Sequence, residues 1–302
     1  SMNSGLRPSV PAKLWVLIRS RTVGHTPKAF DSNLMEQCHE EALDSWLDGR
    51  TVDQAISTLK QEDFDEPVEY TRNFLKSQLL KKDEKYGQPA TAGQTISDMN
   101  FSRNMMHAAA ALYVERLVLA HLPKNVYVHL RRNHEQFQRW CADALRTTKT
   151  RAFSASDYSS WDRSVDGACL HFDRLLLESY GLNPEFIDEF VRLRINTHNF
   201  AGTLGLMQFS GDRWTFLLNT LRNIAYTNTR CSLAPAKTWQ AYAGDDVLLF
   251  APAFRVDRRW KQEDWSFVAK DQVGLPVGEF IGLRVTRHAQ VFVSTHKLRT
   301  QT

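Results

Sequence analysis

The triplet Gly244-Asp245-Asp246 lies between two apolar runs, Ala241-Tyr242-Ala243 and Val247-Leu248-Leu249-Phe250. A glycine turn with flanks this apolar predicts a buried β-hairpin whose tip carries two adjacent carboxylates. Nothing in the stretch neutralises them, and two negative charges at the edge of a core call for cations. Oxygen donors of this kind suit Mg²⁺. The competing reading is an ordinary Asp-rich hairpin turn that binds nothing.

Two further sites precede it. Ala152-Phe153-Ser154-Ala155-Ser156-Asp157 reads as a short strand ending in an acid, and Tyr158-Ser159-Ser160-Trp161 separates Asp157 from a second acid, Asp162. By itself, a strand-end Asp157 could be a helix N-cap. Ser210-Gly211 opens a small-residue loop ahead of a helix on which Thr215 and Asn219 are four apart and so share a face. Asn219 could be a solvent-facing polar residue, but Phe216-Leu217-Leu218 beside it points to a buried helix.

The order Asp-x4-Asp, then Ser-Gly-x3-Thr-x3-Asn, then Gly-Asp-Asp resembles the palm motifs of viral RNA-dependent RNA polymerases. Phe74-Leu75-Lys76-Ser77-Gln78, Lys81-Lys82-Asp83-Glu84-Lys85 and Ala92-Gly93-Gln94-Thr95-Ile96 resemble the basic fingers motif of the alphavirus-like supergroup. Within it, Gly202-Thr203-Leu204, Ile224-Ala225-Tyr226-Thr227-Asn228-Thr229-Arg230 and Gln240-Ala241-Tyr242 look most like the tymovirus and flexivirus polymerases (order Tymovirales). The likeness runs over about residues 70 to 295. It departs at Ser210-Gly211-Asp212-Arg213-Trp214, where Thr-Gly-Glu and small residues are expected, and at Leu217-Leu218, where neighbours are ordinarily more polar.

The resemblance implies an α+β right-hand polymerase fold, with an antiparallel palm sheet backed by helices. Residues 1–150 would hold an N-terminal and fingers region. Residues 151–250 would form the palm, with a fingers segment interleaved at about 183–209, and 251–302 would end the palm with a closing hairpin. Few residues follow Asp246, so a thumb is expected to be short or absent.

The chemistry implied is phosphoryl transfer from a nucleoside triphosphate to an RNA 3′-hydroxyl, supported by two Mg²⁺ ions for which Mn²⁺ can substitute. Asp157 and Asp245 would bridge the ions, Asp246 would stand at the margin, and the Tyr158 carbonyl could complete a shell. Asp162 and Asn219, with Thr215 and Ser210, would read the ribose 2′-hydroxyl. Gly211 would give a flexible turn near the template. Lys76, Lys82 and Lys85 would face the triphosphate. Arg103, Arg131 and Arg132 are candidate template-phosphate contacts, and Lys270 a candidate general acid for the leaving pyrophosphate, against a surface lysine paired with Asp264 or Asp271. Partners would be an RNA template and product strand, nucleoside triphosphates, and capping and helicase domains of the same polyprotein. The location would be host cytoplasm, in replication complexes that other domains attach to membranes. A reverse transcriptase-like DNA polymerase and an inert RNA-binding or scaffold fragment are the rival readings.

The elements that must position these residues are legible by pattern. Residues 28–60 show a helical apolar stripe at Phe30, Leu34, Cys38, Leu43 and Leu47, with a break at Gly49. Asn100 to His121 reads as a long helix stopped by Pro123, Asn125 to Leu130 as a strand, and helices follow to about Arg146, over Asp166–Tyr180, Pro184–Thr197 and Arg213 to about Cys231. Val277–Val285 and Gln290–Val293 alternate like a hairpin. Trp161, Trp214 and Trp239 are expected to be packing anchors.

Bulk composition decides less. A net charge of +4 over 302 residues is compatible with a polyanion partner but common elsewhere. Cys38, Cys141, Cys169 and Cys231 have no metal or disulfide spacing and read as plain thiols, and the ten histidines show no ligand pattern. No apolar run is long enough to cross a bilayer. The opening Ser1-Met2 has the look of a tag-cleavage remnant on a piece of a longer polyprotein.

Overall fold

The computed structural model describes residues 29–61, 64–75, 95–234, 237–258, 260–262 and 266–293. Helices α1 (Ser32–Leu47) and α2 (Val52–Gln61) come first, followed by an antiparallel pair β1 (Thr71–Leu75) and β2 (Thr95–Met99). Helix α3 (Phe101–His121) starts at Asn100, whose side chain accepts from the Ser102 and Arg103 amides. Strand β3 (Val126–Val128) leads to α4 (His134–Thr148), which opens with a reciprocal capping box between Asn133 and Gln136.

Strand β4 (Phe153–Tyr158) is followed by a 3₁₀ turn at Trp161–Ser164, α5 (Gly167–Ser179) and α6 (Pro184–Asn196). The two-residue strands β5 (His198–Asn199) and β6 (Gly202–Thr203) pair with each other. Then come α7 (Thr215–Arg230), β7 (Gln240–Ala243) and β8 (Asp246–Leu249). Strand β9 (Ala269–Leu275) precedes a three-stranded antiparallel sheet of β10 (Val277–Phe280), β11 (Leu283–Thr286) and β12 (Val291–Val293). No helix among the described residues is long and apolar enough to cross a membrane.

The sheet that positions the chemistry has five strands in the order β3-β7-β8-β4-β9. It departs from the all-antiparallel expectation at one edge, where β3 runs parallel to β7. The continuous apolar stretch at 241–250 has a direct cause: this sheet is covered on both faces, so alternate residues all need to be apolar. Tyr242, Val247 and Leu249, with Tyr158 of β4, pack against Leu217, Leu218, Leu221 and Ile224 of α7. Ala241, Ala243 and Leu248, with Phe153, pack against Phe137, Cys141 and Ala144 of α4 and against Phe280 and Val285. Gly278 lets β10 approach closely, because a Cβ there would lie 2.9 Å from Leu248. Trp161 stacks on Phe267 with centroids 4.0 Å apart, and Trp214 is fully buried, so the tryptophans are packing anchors as expected. All four cysteines are buried free thiols.

Candidate active site

Strands β4 and β8 pair antiparallel with Ser156 opposite Val247, and one further step of that register sets Asp157 beside Asp246. On its other side Asp157 is the cross-strand partner of Lys270 in β9. Cross-strand partners point to the same face of a sheet, so Asp246, Asp157 and Lys270 form a row. Asp157 is therefore a strand residue and not a helix N-cap, although its carboxylate accepts from the next amide, that of Tyr158, at 2.8 Å.

The tight turn between β7 and β8 needs Gly244, which has φ +60°. Helix α7 holds that turn from below. The Gly244 amide donates to Thr220 Oγ1 at 2.8 Å, and Asn223 Nδ2 donates to the carbonyls of Gly244 at 3.1 Å and Asp245 at 2.8 Å. Asn223 Oδ1 accepts in turn from the Tyr158 hydroxyl at 2.9 Å, which ties the turn to β4. Sequence reasoning missed Thr220 and Asn223. The signal was there: Asn219, Thr220, Asn223 and Thr227 recur at helical spacing on a helix that also carries the apolar Leu217, Leu218, Leu221 and Ile224.

Asp162, Asn219, Phe216, Gly244, Asp245 and Ile281 share a cleft of about 830 Å³ with the Ser210–Gly211 loop at its rim. Burial raises the Asp245 pKa, and the charges of Asp162 and Asp157 raise it further. Among the described residues no ion pair reaches Asp157, Asp162 or Asp245. Among those residues, too, no three His, Cys, Asp or Glu side chains form a ready-made metal cage. The donors that Asp157, Asp162 and Asp245 present are hard carboxylate oxygens. That fits Mg²⁺, which keeps waters and binds through one or two carboxylates plus substrate phosphates.

Asn219 is buried, at 5% exposure, and its Nδ2 donates to Asp162 Oδ1 at 2.8 Å, so it does not face solvent. Burial raises the Asp162 pKa, and the Asn219 hydrogen bond and the Arg222 charge oppose the rise. An acid and an amide far apart in sequence thus meet beside the Gly-Asp-Asp turn. The family model described as RNA dependent RNA polymerase matches residues 24–273. The chain belongs to the viral RNA-dependent RNA polymerases. It is 30% identical over 257 residues to the RNA replication protein of Botrytis virus F, covering 84% of this chain and 13% of that protein. It is 34% identical over 222 residues to the RNA replication protein of Potato virus X, covering 73% of this chain and 15% of that one. The RNA replication protein of Foxtail mosaic virus is 30% identical over 242 residues, covering 78% of this chain and 18% of that protein. These relatives bear out the Tymovirales-like resemblance, and the chain spans under a fifth of their length.

Several expected polymerase residues do other work. Thr215 spends its hydroxyl on the loop, donating to the Phe209 and Asp212 carbonyls at 2.7 and 2.8 Å and accepting from Gln208, rather than joining the Asp162–Asn219 pair. Ser210 accepts from the Ser97 amide at 2.8 Å through its carbonyl. Gly211 is no loose turn: with φ +107° it sits so close to β2 that a Cβ would lie 2.3 Å from the Ser97 carbonyl oxygen.

Arg103 is not a surface phosphate contact. It is 1% exposed, donates to Thr197 Oγ1 at 3.1 Å and faces Asp212 at 3.8 Å. Arg131 is exposed, but its guanidinium is held by Glu41 and by Glu115, the latter at 3.1 Å. Arg132 lies over the Tyr127 ring, 4.8 Å from its centroid. Asp271 bonds Arg230 and Ser156, which removes it as a partner for Lys270. Lys76, Lys82, Lys85 and Asp264 lie outside the described residues.

Proposed function

We propose that this segment is the catalytic core of an RNA-dependent RNA polymerase, adding ribonucleotides to an RNA 3′ end under template direction. One observation carries the reading: the Asp162–Asn219 hydrogen bond opens into the same cleft as the acids of the Gly-Asp-Asp turn. The five-stranded sheet would be the palm of a right-hand fold, spanning residues 151–250 and the strands that follow, with fingers drawn from residues 1–150 and about 183–209.

Two divalent ions, Mg²⁺ or Mn²⁺, would supply charge stabilisation at the attacking and leaving oxygens when bound. Asp157 and Asp245 would hold them, with Asp246 and the Tyr158 carbonyl at the margin. Asp162 keeps an acceptor and Asn219 an amide at the sugar's edge, so a 2′-hydroxyl can both donate and accept there. A 2′-deoxy sugar would leave those polar groups without a partner, which costs discrimination energy. Lys76, Lys82 and Lys85 are proposed to neutralise the triphosphate. Capping and helicase domains of a longer polyprotein are the proposed neighbours, in replication complexes of the host cytoplasm.

Extension of a labelled primer on an RNA template, with ribo- or deoxynucleotides and with Mg²⁺, Mn²⁺ or chelator, tests this. Metal-dependent ribonucleotide addition is expected. A preference for deoxynucleotides would make the chain a reverse transcriptase-like enzyme, and template binding without any extension would make it a scaffold.

A further inference from the structure

Behind the Asp162–Asn219 pair lies a buried guanidinium that the polymerase motifs do not include. Arg222, one helical turn beyond Asn219 on α7, is 3% exposed. Its Nε donates to Asp173 Oδ1 at 2.9 Å, and a second nitrogen pairs with the other oxygen of the same carboxylate. Asp173, on α5, is fully buried. The remaining nitrogen of the fork is turned toward the cleft. It donates to Asn219 Oδ1 at 3.1 Å and to Gln208 Oε1 at 2.8 Å. The Gln208 main-chain N–H donates to the main-chain carbonyl of Asp162 at 2.8 Å, so the residue that takes this guanidinium through its side chain also holds the Asp162 backbone.

The chemistry of the donors leaves Asn219 one orientation. A guanidinium has only N–H groups to offer, so it must face the amide oxygen, and an ionised carboxylate only accepts, so it must face the amide nitrogen. Arg222 on one side and Asp162 on the other therefore fix which end of the amide points where. Without Arg222 the amide oxygen loses its donor, and Asp162 alone holds the amide, from one end. The bidentate grip of Asp173 on Arg222 removes the freedom a long side chain would otherwise have.

We infer that Arg222, clamped by Asp173, is the positioning residue that sets the Asn219 amide for recognition of the 2′-hydroxyl, and hence a determinant of sugar specificity. The inference rests on the ribose-reading role proposed above for Asp162 and Asn219.

The test compares the affinity for ATP with that for 2′-deoxy-ATP, by equilibrium binding, and the ratio of kcat/KM for the two in primer extension. Arg222→Met alone strands the Asp173 charge in the core at a large cost in stability, so the working variant is Arg222→Met with Asp173→Leu. A buried ion pair replaced by apolar residues of similar volume often leaves a protein folded. The double variant is expected to fold and to lose about tenfold or more of its preference for the ribonucleotide, about 1.4 kcal/mol. Asp173→Asn, which weakens the clamp but keeps the Arg222 fork, is expected to lower the melting temperature and keep most of the preference. An intact preference in the folded double variant, alongside a lost one in Asn219→Ala, would overturn the positioning role and leave the ribose reading standing. A loss in Asp173→Asn as large as in the double variant would reduce the effect to stability and overturn it as well. If Asn219→Ala and Asp162→Ala both keep the preference, the ribose reading fails and takes this inference with it.

Discussion

Two groups of aspartates lie around α7, and they are treated in opposite ways. Asp173 and Asp212 are buried, and each meets a guanidinium: Arg222 for Asp173, Arg194 and Arg103 for Asp212. Burial alone would raise the Asp212 pKa, but Arg194 and Arg103 hold it below the ordinary value. Asp245 lines the cleft and Asp157 stands exposed at the end of β4, and no basic side chain among the described residues pairs with either. Although its side chain reaches solvent, the walls of the cleft strip water from the Asp245 carboxylate, and this and its acidic neighbours raise its pKa. The residue type is the same, and the difference is whether an arginine has been supplied. Paired aspartates hold α3, α6 and α7 in place.

The sharpest break of that contrast is in the cleft. Asp157→Asn or Asp245→Asn should reduce nucleotide addition by about a thousandfold or more, since each removes a proposed metal ligand. Stability should hold or rise, because a repelling charge is gone. Extension at a rate near that of the unaltered chain by either variant would return these acids to a plain turn.

The buried group should answer the other way. Asp212→Ala leaves Arg194 and Arg103 charged in the core, and breaking a buried pair from one side costs about 3–5 kcal/mol. Urea unfolding should show that loss for Asp212→Ala, whereas Asp157→Ala should stay within about 0.5 kcal/mol of the unaltered chain.

His107, on α3 beside the same arginines, gives a pH test. Burial pushes its pKa down to about 4, with Arg103 and Arg194 adding to the shift and Asp212 opposing it. Its Nε2 has no hydrogen-bond partner among the described residues, and its ring meets those of Phe186, Phe190 and Trp214. An unfolded histidine takes its proton near pH 6.5 and the folded one only near pH 4, so between those values the unfolded chain binds more protons. Stability therefore falls as pH drops through that window, by roughly 3 kcal/mol in all. In His107→Leu the dependence from this source should vanish, as urea midpoints between pH 4 and 7 would show. An unchanged slope would mean the ring is hydrated.

The site was readable in sequence because its residues are local motifs: Gly244-Asp245-Asp246 on its apolar hairpin, Asp157 at a strand end, and Asn219 four residues after Thr215. The helices were equally plain, since Asn100, Asp166 and Asn183 cap them where their patterns begin. The arginine cluster was not readable. Arg103, Arg194 and Arg222 come from three helices, and nothing local tells a guanidinium bound for the core from one bound for phosphate. Gly211 misled for a similar reason, because glycine permits a flexible loop as readily as a close backbone approach, and the Ser97 carbonyl that decides between them is distant in sequence.

Lys270 stands on the boundary of the contrast, a cation set opposite Asp157 across β4 and β9 without an ion pair to it among the described residues. It could serve as a proton donor to the leaving pyrophosphate or as a fixed positive charge beside the acids. Lysine can do both, whereas arginine keeps the charge but gives up no proton near neutral pH. If Lys270 is the acid, Lys270→Leu and Lys270→Arg should both slow the chemical step at saturating nucleotide by about a hundredfold, the lower end of what general-acid help supplies, while KM moves little. If it acts by charge alone, Lys270→Arg should keep most of the rate and Lys270→Leu should raise KM for the triphosphate. Lys261→Leu, an exposed lysine outside the sheet, should do neither. Small, equal effects in all three variants would make Lys270 an ordinary strand lysine, and the cleft would then work without a cation from β9.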